Sequence, residues 1–185
     1  MKPDIRQTEL LGLMSIRNSI FEDKRGSFEK LYSSDQTSIN LKGARLEQVN
    51  ISTSHKRGTI RGLHFQREPF TDIKLVRCTR GSIWDVTVDI RKGSSTFLKW
   101  HAEVLSSRNR RVLLIPAGFA HGFQSLTNNV ELIYCHFAPY RIDAEGGISP
   151  FDTNLRIPWP LEVTEISDRD YNLRPIDSSF AGLNP

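Results

Sequence analysis

Residues 83–90 read Ile83-Trp84-Asp85-Val86-Thr87-Val88-Asp89-Ile90, so that apolar and polar side chains alternate from Trp84 onward. Successive side chains of a β-strand point to opposite faces, and this period of two therefore predicts a half-buried strand. Similar patterns predict four further strands: Leu46–Ser52, Leu98–Leu105, Arg111–Ile115 and Val130–Phe137. Turn residues separate these runs at Arg80–Ser82, Arg91–Ser95 and Leu126–Asn129.

Many short strands joined by turns, with no long apolar repeat of period 3.6, predict an all-β fold, an antiparallel sandwich or barrel of the jelly-roll type. The segment 148–185 differs, because prolines interrupt it at Pro150, Pro158, Pro160 and Pro175. We expect this segment to wrap around the sheet as loops with short peripheral helices. A length of 185 residues, without internal repeat or linker, predicts one domain over residues 1–185.

Composition excludes several classes of protein. The chain is 38% hydrophobic and 25% charged, unlike disordered, collagen-like or low-complexity proteins. Neither a long apolar run nor a signal-peptide pattern is present, so we expect a cytoplasmic protein. Cys78 and Cys135 lack the spacing of a disulfide framework or zinc site and are expected in the core. The net charge of +4 favours an anionic ligand, and a small phosphorylated substrate is at least as good an interpretation as nucleic acid.

Two histidine motifs stand out. They read Gly58-Thr59-Ile60-Arg61-Gly62-Leu63-His64-Phe65-Gln66 and Ile115-Pro116-Ala117-Gly118-Phe119-Ala120-His121-Gly122-Phe123. Both resemble the motifs of the cupin superfamily, G(x)5HxH and PxGxxH, which place histidines inside a small β-barrel. Metal-binding cupins have a further histidine and a carboxylate where this chain has Gln66 and Lys74. Because a lysine ammonium would repel a metal ion, we predict no metal site.

His64, His121 and Lys74 suit a chemistry that needs no metal. A histidine titrates near neutral pH and can remove a proton from a carbon that a neighbouring carbonyl acidifies. A cation or a neutral imidazole beside the carbonyl oxygen would stabilise the enolate that forms. These residues therefore predict proton abstraction next to a ketone.

Additional segments narrow the resemblance. In chain order they are Asp23–Phe28, Gln48–Ser52, Arg61–Gln66, Lys74–Arg77, Asp85–Arg91, Ile115–Phe123, Tyr134, Ile157–Pro160 and Ile166–Asp170. Together they resemble the dTDP-4-dehydrorhamnose 3,5-epimerase family over nearly the whole chain, from about Ile20 to Asp170. The resemblance implies a cofactor-free, homodimeric cupin jelly roll that epimerises a nucleotide-linked 4-keto-6-deoxy sugar in dTDP-rhamnose and polysaccharide biosynthesis. We also expect no nucleic-acid or membrane partner.

The resemblance also implies roles for individual residues. His64 matches the catalytic base, Asp170 the carboxylate that hydrogen-bonds it, and Tyr134 the acid that protonates the opposite face of the enolate. Lys74 matches a residue at the keto oxygen, and Arg61 one that holds the diphosphate. The residues at substrate-binding positions are Arg25, Gln48, Asn50, Arg61, Gln66, His121, Tyr140, Glu145 and Arg169.

Two segments depart from the family pattern. Ser27 and Lys30 stand where the family has an aromatic residue and a glutamate that help to hold the nucleotide of the partner subunit. After Tyr134, the family's polar run with an aspartate and two tyrosines is replaced by Cys135-His136-Phe137-Ala138-Pro139-Tyr140. A CDP- or GDP-linked substrate, a related sugar, and epimerisation at only C3 or C5 therefore remain alternatives.

Three other classes of protein also remain. A metal-dependent cupin oxygenase or isomerase would contain a bound ion. A non-catalytic sugar-nucleotide binder would lack the acid and base, whereas this chain retains His64, Tyr134 and Asp170. A sugar 3,4-ketoisomerase would move the carbonyl instead of changing the configuration.

Overall fold

Two antiparallel β-sheets and one β-hairpin form the framework of this computed structural model, which describes residues 3–33, 41 and 43–184. The strands are β1 Asp4–Gln7, β2 Met14–Arg17, β3 Ile20–Asp23, β4 Gly26–Glu29, β5 Gln48–Ser54, β6 Ile60–Gln66, β7 Lys74–Arg80, β8 Ser82–Asp89, β9 Trp100–Ser106, β10 Arg111–Ile115, β11 Phe119–Ser125, β12 Val130–His136 and β13 Glu145–Gly147. One sheet has the order β1-β2-β10-β7-β12-β5, the other β13-β6-β11-β8-β9, and β3 pairs only with β4. The predicted all-β jelly roll is confirmed.

The main core lies between the two sheets. Val76 and Leu132 from the six-stranded sheet meet Ile83 and Phe123 from the five-stranded sheet in one buried cluster. Each is at most 2% exposed. Cys78 and Cys135 are both buried, as predicted. The two sheets are therefore held face to face by apolar side chains, and the space that remains between them is bounded by a rigid frame.

The segment that follows β13 packs on the outer side of the five-stranded sheet. Its residues Ile148, Leu155 and Ile157 share a buried cluster with Val86 and Val88 of β8. The apolar face of the stretch 83–90 therefore meets this segment, while Asp85 and Thr87 lie on the opposite face. A four-residue helix, α1 (Asp168–Tyr171), is the only helix in the described ranges. The sequence of segment 148–185 predicts more than one short helix. No helix in the described part of the chain could cross a membrane.

The predicted strand bounds shift by up to two residues. Arg111–Ile115 is observed as predicted, and the strand predicted at Val130–Phe137 ends one residue earlier, at His136. The strand predicted from Leu98 begins at Trp100, because Leu98 has a φ of +59°, a left-handed conformation that a strand does not contain. The strand predicted at Leu46–Ser52 is observed at Gln48–Ser54, so it begins and ends two residues later than predicted.

A buried carboxylate fixes the loop between β8 and β9. Asp89 is fully buried and accepts hydrogen bonds from the side chains of Arg91, Ser94 and Thr96. Burial alone would raise the pKa of Asp89, but these donors lower it to about 2. The carboxylate therefore stabilises the folded state above the ordinary aspartate pKa of about 4.

We expect Asp89→Asn to lower the free energy of unfolding at pH 7 by roughly 2–3 kcal/mol, because the charged acceptor is lost. A folded-state pKa below the unfolded value means that wild-type stability falls as the pH drops from about 4 towards 2, so the difference between the proteins should shrink there. Urea unfolding at several pH values measures this. The exposed Asp4→Asn serves as the control, and an equal effect of both substitutions would contradict the assignment.

Candidate active site

A cavity of about 730 Å³ opens between the two sheets. Strands β6 and β11 of one sheet and β5, β7 and β12 of the other form its walls, and residues of the C-terminal segment close one side. All the residues predicted for the site line it except Arg25: Gln48, Asn50, Arg61, His64, Gln66, Lys74, His121, Tyr134, Tyr140, Glu145, Arg169 and Asp170. Its size suits a small-molecule ligand.

His64 and Asp170 form a hydrogen-bonded pair in this cavity. His64 Nε2 lies 2.7 Å from Asp170 Oδ1, and the backbone N–H of Gly62 donates to Asp170 Oδ2 at 2.9 Å. Burial alone would raise the pKa of Asp170, but the hydrogen bonds from His64 and Gly62 bring it below its ordinary value. An ionised carboxylate only accepts, so Nε2 of a neutral His64 carries the proton and Nδ1 is left as the basic nitrogen.

The local chain is shaped to hold this pair. Asp170 is in α1, where Ser167 caps the helix by accepting the N–H of Asp170 at 3.1 Å. Gly62 has a φ of +107°, and a Cβ there would lie 2.6 Å from the carbonyl oxygen of His121. Only glycine therefore allows β6 to approach β11 this closely while donating its N–H to Asp170.

His121 is the cross-strand neighbour of His64 and forms a second pair, with Asp85 of β8. His121 Nε2 lies 2.8 Å from Asp85 Oδ2, and both side chains are almost fully buried. Asp85 Oδ1 has no hydrogen-bond partner in the described part of the chain. The unsatisfied carboxylate places negative charge behind the cavity wall, next to His121.

Tyr134 faces these histidines from the other sheet. Its ring meets that of His121 edge-on, with centroids 6.0 Å apart. Burial and the charge of Asp85 raise the pKa of Tyr134 above its ordinary value, with the charge of Arg61 opposing them. The phenol therefore keeps its proton at neutral pH.

Lys74 and Arg61 are two of the cationic residues that line the cavity. Lys74 is 12% exposed and its Nζ lies 4.0 Å from Asp72 Oδ2. Burial lowers the pKa of Lys74, while the charges of Asp72 and Glu145 oppose the shift. The guanidinium of Arg61 donates from Nε to Ser54 Oγ at 3.1 Å and from Nη2 to the carbonyl of Thr53 at 2.8 Å. Its position on the cavity wall suits an anionic part of a ligand.

Tyr140, Glu145 and Arg169 form a hydrogen-bonded group at the edge of the cavity. Glu145 accepts from Tyr140 at 2.8 Å and forms an ion pair with Arg169 at 2.5 Å. Across the cavity, on β5, the amide of Gln48 donates to Asn50 at 3.0 Å. These side chains are polar and partly exposed, and can exchange their mutual contacts for contacts with a ligand.

Two of the predicted residues have different surroundings from the rest. Gln66 lines the cavity, but its amide donates to the carbonyls of Phe70 and Pro139 and accepts from the N–H of Arg141. It therefore connects the loop between β6 and β7 with the loop between β12 and β13. Arg25 lies at the turn between β3 and β4, highly exposed and paired with Asp23 at 2.6 Å. The structure does not bring it to this cavity.

The sequence-based prediction missed a third pair in the same cavity. His136 Nδ1 lies 2.6 Å from Asp72 Oδ2, and both residues are part of the lining. One signal could have found His136, because it follows Tyr134 by two positions on a predicted strand and so shares its face. Asp72 lies in a loop, where no such periodicity applies.

The comparisons with known proteins agree with one another. A profile of the family described as dTDP-4-dehydrorhamnose 3,5-epimerase matches residues 7–178. A relative of that name from Sinorhizobium fredii is 43% identical over 156 residues, which cover 84% of this chain and 80% of the relative.

Solved structures extend the similarity to the fold. The 3,5-epimerase of Legionella pneumophila in complex with dTDP-4-keto-L-rhamnose superposes with a TM-score of 0.90 and 34% identity, over 99% of each chain. A 3'-monoepimerase from Streptomyces bikiniensis in complex with dTDP-quinovose has a TM-score of 0.83 and 31% identity, over 95% of this chain and 87% of the other. The chain therefore belongs to the dTDP-4-dehydrorhamnose 3,5-epimerase family, whose members are carbohydrate epimerases.

Proposed function

We propose that this protein inverts C3 and C5 of a dTDP-linked 4-keto-6-deoxy sugar, converting dTDP-4-dehydro-6-deoxy-D-glucose into dTDP-4-dehydro-L-rhamnose, with no cofactor. One observation carries the assignment: a base and an acid lie on opposite walls of one cavity. His64 is on β6 of the five-stranded sheet, and Tyr134 is on β12 of the six-stranded sheet. Inversion needs this arrangement, because a single group that returns its own proton would restore the original configuration.

Each epimerisation proceeds in two proton transfers. His64 Nδ1 takes the proton from the carbon next to the ketone, and the electron pair of the broken C–H bond moves to the keto oxygen as an enolate. Asp170 stabilises the imidazolium, while the ammonium of Lys74 stabilises the enolate oxygen. The enolate then collapses as the carbon takes the Tyr134 proton on its other face. Solvent exchange returns a proton to the tyrosinate and removes one from His64.

The nucleotide and the number of inverted carbons rest on the relatives. The similar Legionella structure is described with a dTDP-linked keto sugar, and Arg61 supplies a cation suited to a diphosphate. The second candidate is epimerisation at one carbon, which the similarity to a 3'-monoepimerase favours. We also propose that the chain acts as one domain, since the C-terminal segment contributes Asp170 to the cavity.

The first test follows deuterium uptake and configuration at C3 and C5 by NMR in deuterium oxide, with the dTDP-, CDP- and GDP-linked 4-keto sugars in parallel. We expect exchange at both carbons of the dTDP sugar. His64→Asn should lower the rate by at least 10²-fold, because it removes the base. Tyr134→Phe should still admit deuterium but form little inverted product.

His55→Asn, at an exposed histidine outside the cavity, is the matched control and should leave the rates unchanged. Exchange at one carbon would establish the single-carbon alternative. Near-normal epimerisation by His64→Asn would refute the assignment of the base.

We also propose that two copies of the chain form a homodimer. Among the described residues, the hairpin β3–β4 pairs with neither sheet. In the same part of the chain, β5 is the outermost strand of the six-stranded sheet and one of its backbone edges is unpaired. Both expose large apolar side chains: Phe21 and Phe28 on the hairpin, and Val49 and Ile51 on β5, each at least 56% exposed. We assign this surface to a second copy of the chain. If the hairpin of one copy packs on β5 of the other, the exposed Arg25 of the first copy comes close to the cavity of the second, because β5 forms part of the cavity wall.

Light scattering tests this assembly. Wild-type protein should have twice the 21.1 kDa mass of one chain. Phe28→Lys and Ile51→Lys should each shift the population towards monomer, because each would place a charge in an apolar interface. Leu11→Lys, at a residue 63% exposed and outside this surface, is the control. A monomeric wild-type protein, or dimers of equal stability in all variants, would contradict the proposal.

A further inference from the structure

The third pair in the cavity, His136 with Asp72, has no place in the reaction described above. His136 Nδ1 is 2.6 Å from Asp72 Oδ2, and Asp72 Oδ1 accepts the backbone N–H groups of Phe137 and Ala138, each at 3.1 Å. The carboxylate is only 3% exposed. Three donors therefore fix its position, and it fixes the imidazole ring in turn.

His136 lines the cavity, and its Nε2 is the ring nitrogen that Asp72 does not bind. Its Nε2 has no hydrogen-bond partner among the described residues, and the side chain is 19% exposed. The ring stacks on that of Tyr134, with centroids 5.8 Å apart and planes 16° from parallel. A partly buried ring held through one nitrogen, with the other nitrogen accessible, is arranged to hydrogen-bond a ligand.

The register places His136 beside the residue assigned to the keto oxygen. His136 on β12 pairs directly with Lys74 on β7, and with Gln48 on β5. Asp72 Oδ2 lies 4.0 Å from Lys74 Nζ as well as 2.6 Å from His136 Nδ1. A ligand whose keto oxygen meets Lys74 therefore presents a neighbouring atom to His136.

The charges around His136 determine how it can bind. Asp72 contributes one negative charge, which the ammonium of Lys74 balances, and Gln48 on the other side is neutral. A neutral imidazole that donates from Nδ1 to Asp72 has a lone pair on Nε2, so it accepts a hydrogen bond. In a 4-keto-6-deoxy sugar the carbons beside the ketone are C3, which bears a hydroxyl, and C5, which bears a methyl group. Only the C3 hydroxyl can donate.

We propose that His136 accepts a hydrogen bond from the C3 hydroxyl of the sugar and that Asp72 is its positioning residue. The inference rests on the proposed function, because it uses a 4-keto sugar with its oxygen at Lys74. His136 thereby selects sugars with a free hydroxyl at C3 and aligns the C3–H bond for removal.

Binding of two unreactive ligands tests the inference without turnover. The probes are dTDP-glucose and its 3-deoxy analogue, measured by calorimetry. Wild-type protein should bind dTDP-glucose about threefold to tenfold more tightly, the value of one hydrogen bond. His136→Phe, which keeps the stacked ring, and His136→Asn, which keeps a donor to Asp72, should bind both ligands with equal affinity.

Further variants separate a contact from a structural role. His136→Gln places an amide where Nε2 lies and should restore part of the discrimination. Asp72→Asn should reduce it, because the ring is held less firmly. His101→Asn is the matched control, since His101 also binds a carboxylate through Nδ1, that of Glu9 at 2.8 Å, but lies outside the cavity. In turnover, the His136 variants should slow deuterium uptake at C3 more than at C5.

The outcomes are distinguishable. A wild-type protein that binds dTDP-glucose without discriminating against the 3-deoxy analogue overturns this inference alone. Discrimination that survives in His136→Phe, His136→Asn and His136→Gln alike does the same, and the three substitutions together guard against one that fails to fold. A wild-type protein that neither binds dTDP sugars nor exchanges their protons overturns the proposed function and, with it, this inference.

Discussion

The hydrogen bond between Asp170 and His64 connects parts of the chain that are 106 residues apart. Asp170 belongs to the segment that covers the outside of the five-stranded sheet, and His64 lies on a strand of that sheet. The bond requires α1 to be seated against β6, and the N–H of Gly62 shares the same carboxylate. The orientation of the His64 ring therefore depends on the packing of α1 against β6.

The two-sheet framework separates the two groups that we propose transfer protons, His64 and Tyr134. Histidines on β6 and β11 face Lys74, Tyr134 and His136 on β7 and β12, and apolar side chains around the cavity keep the sheets at a fixed separation. Packed β-sheets do not slide past each other freely, so the proposed base His64 and the phenol of Tyr134 stay on opposite walls of the cavity. The proposed inversion therefore depends on the placement of His64 and Tyr134 on opposite sheets as well as on the chemistry of the two side chains.

Sequence periodicity revealed part of this arrangement, for identifiable reasons. The stretch 83–90 was recognisable because one of its faces is apolar, although that face packs against the C-terminal segment and its polar face points inward. Strand β11 is buried at every residue, so it has no alternation, and only the histidine motif drew attention to it. Asp170 was assigned through family resemblance, since no local pattern links it to His64. The contact between His136 and Asp72 joins residues 64 positions apart and depends on the three-dimensional packing of a loop.

The position of Asp170 along the chain has a consequence for biosynthesis. Every strand of both sheets precedes it, and a ribosome delivers them in order from β1 to β13 before α1 is made. The barrel is able to collapse around its own core while His64 still lacks its carboxylate. The proposed base therefore gains the carboxylate that orients its ring only after the strands of both sheets have been made.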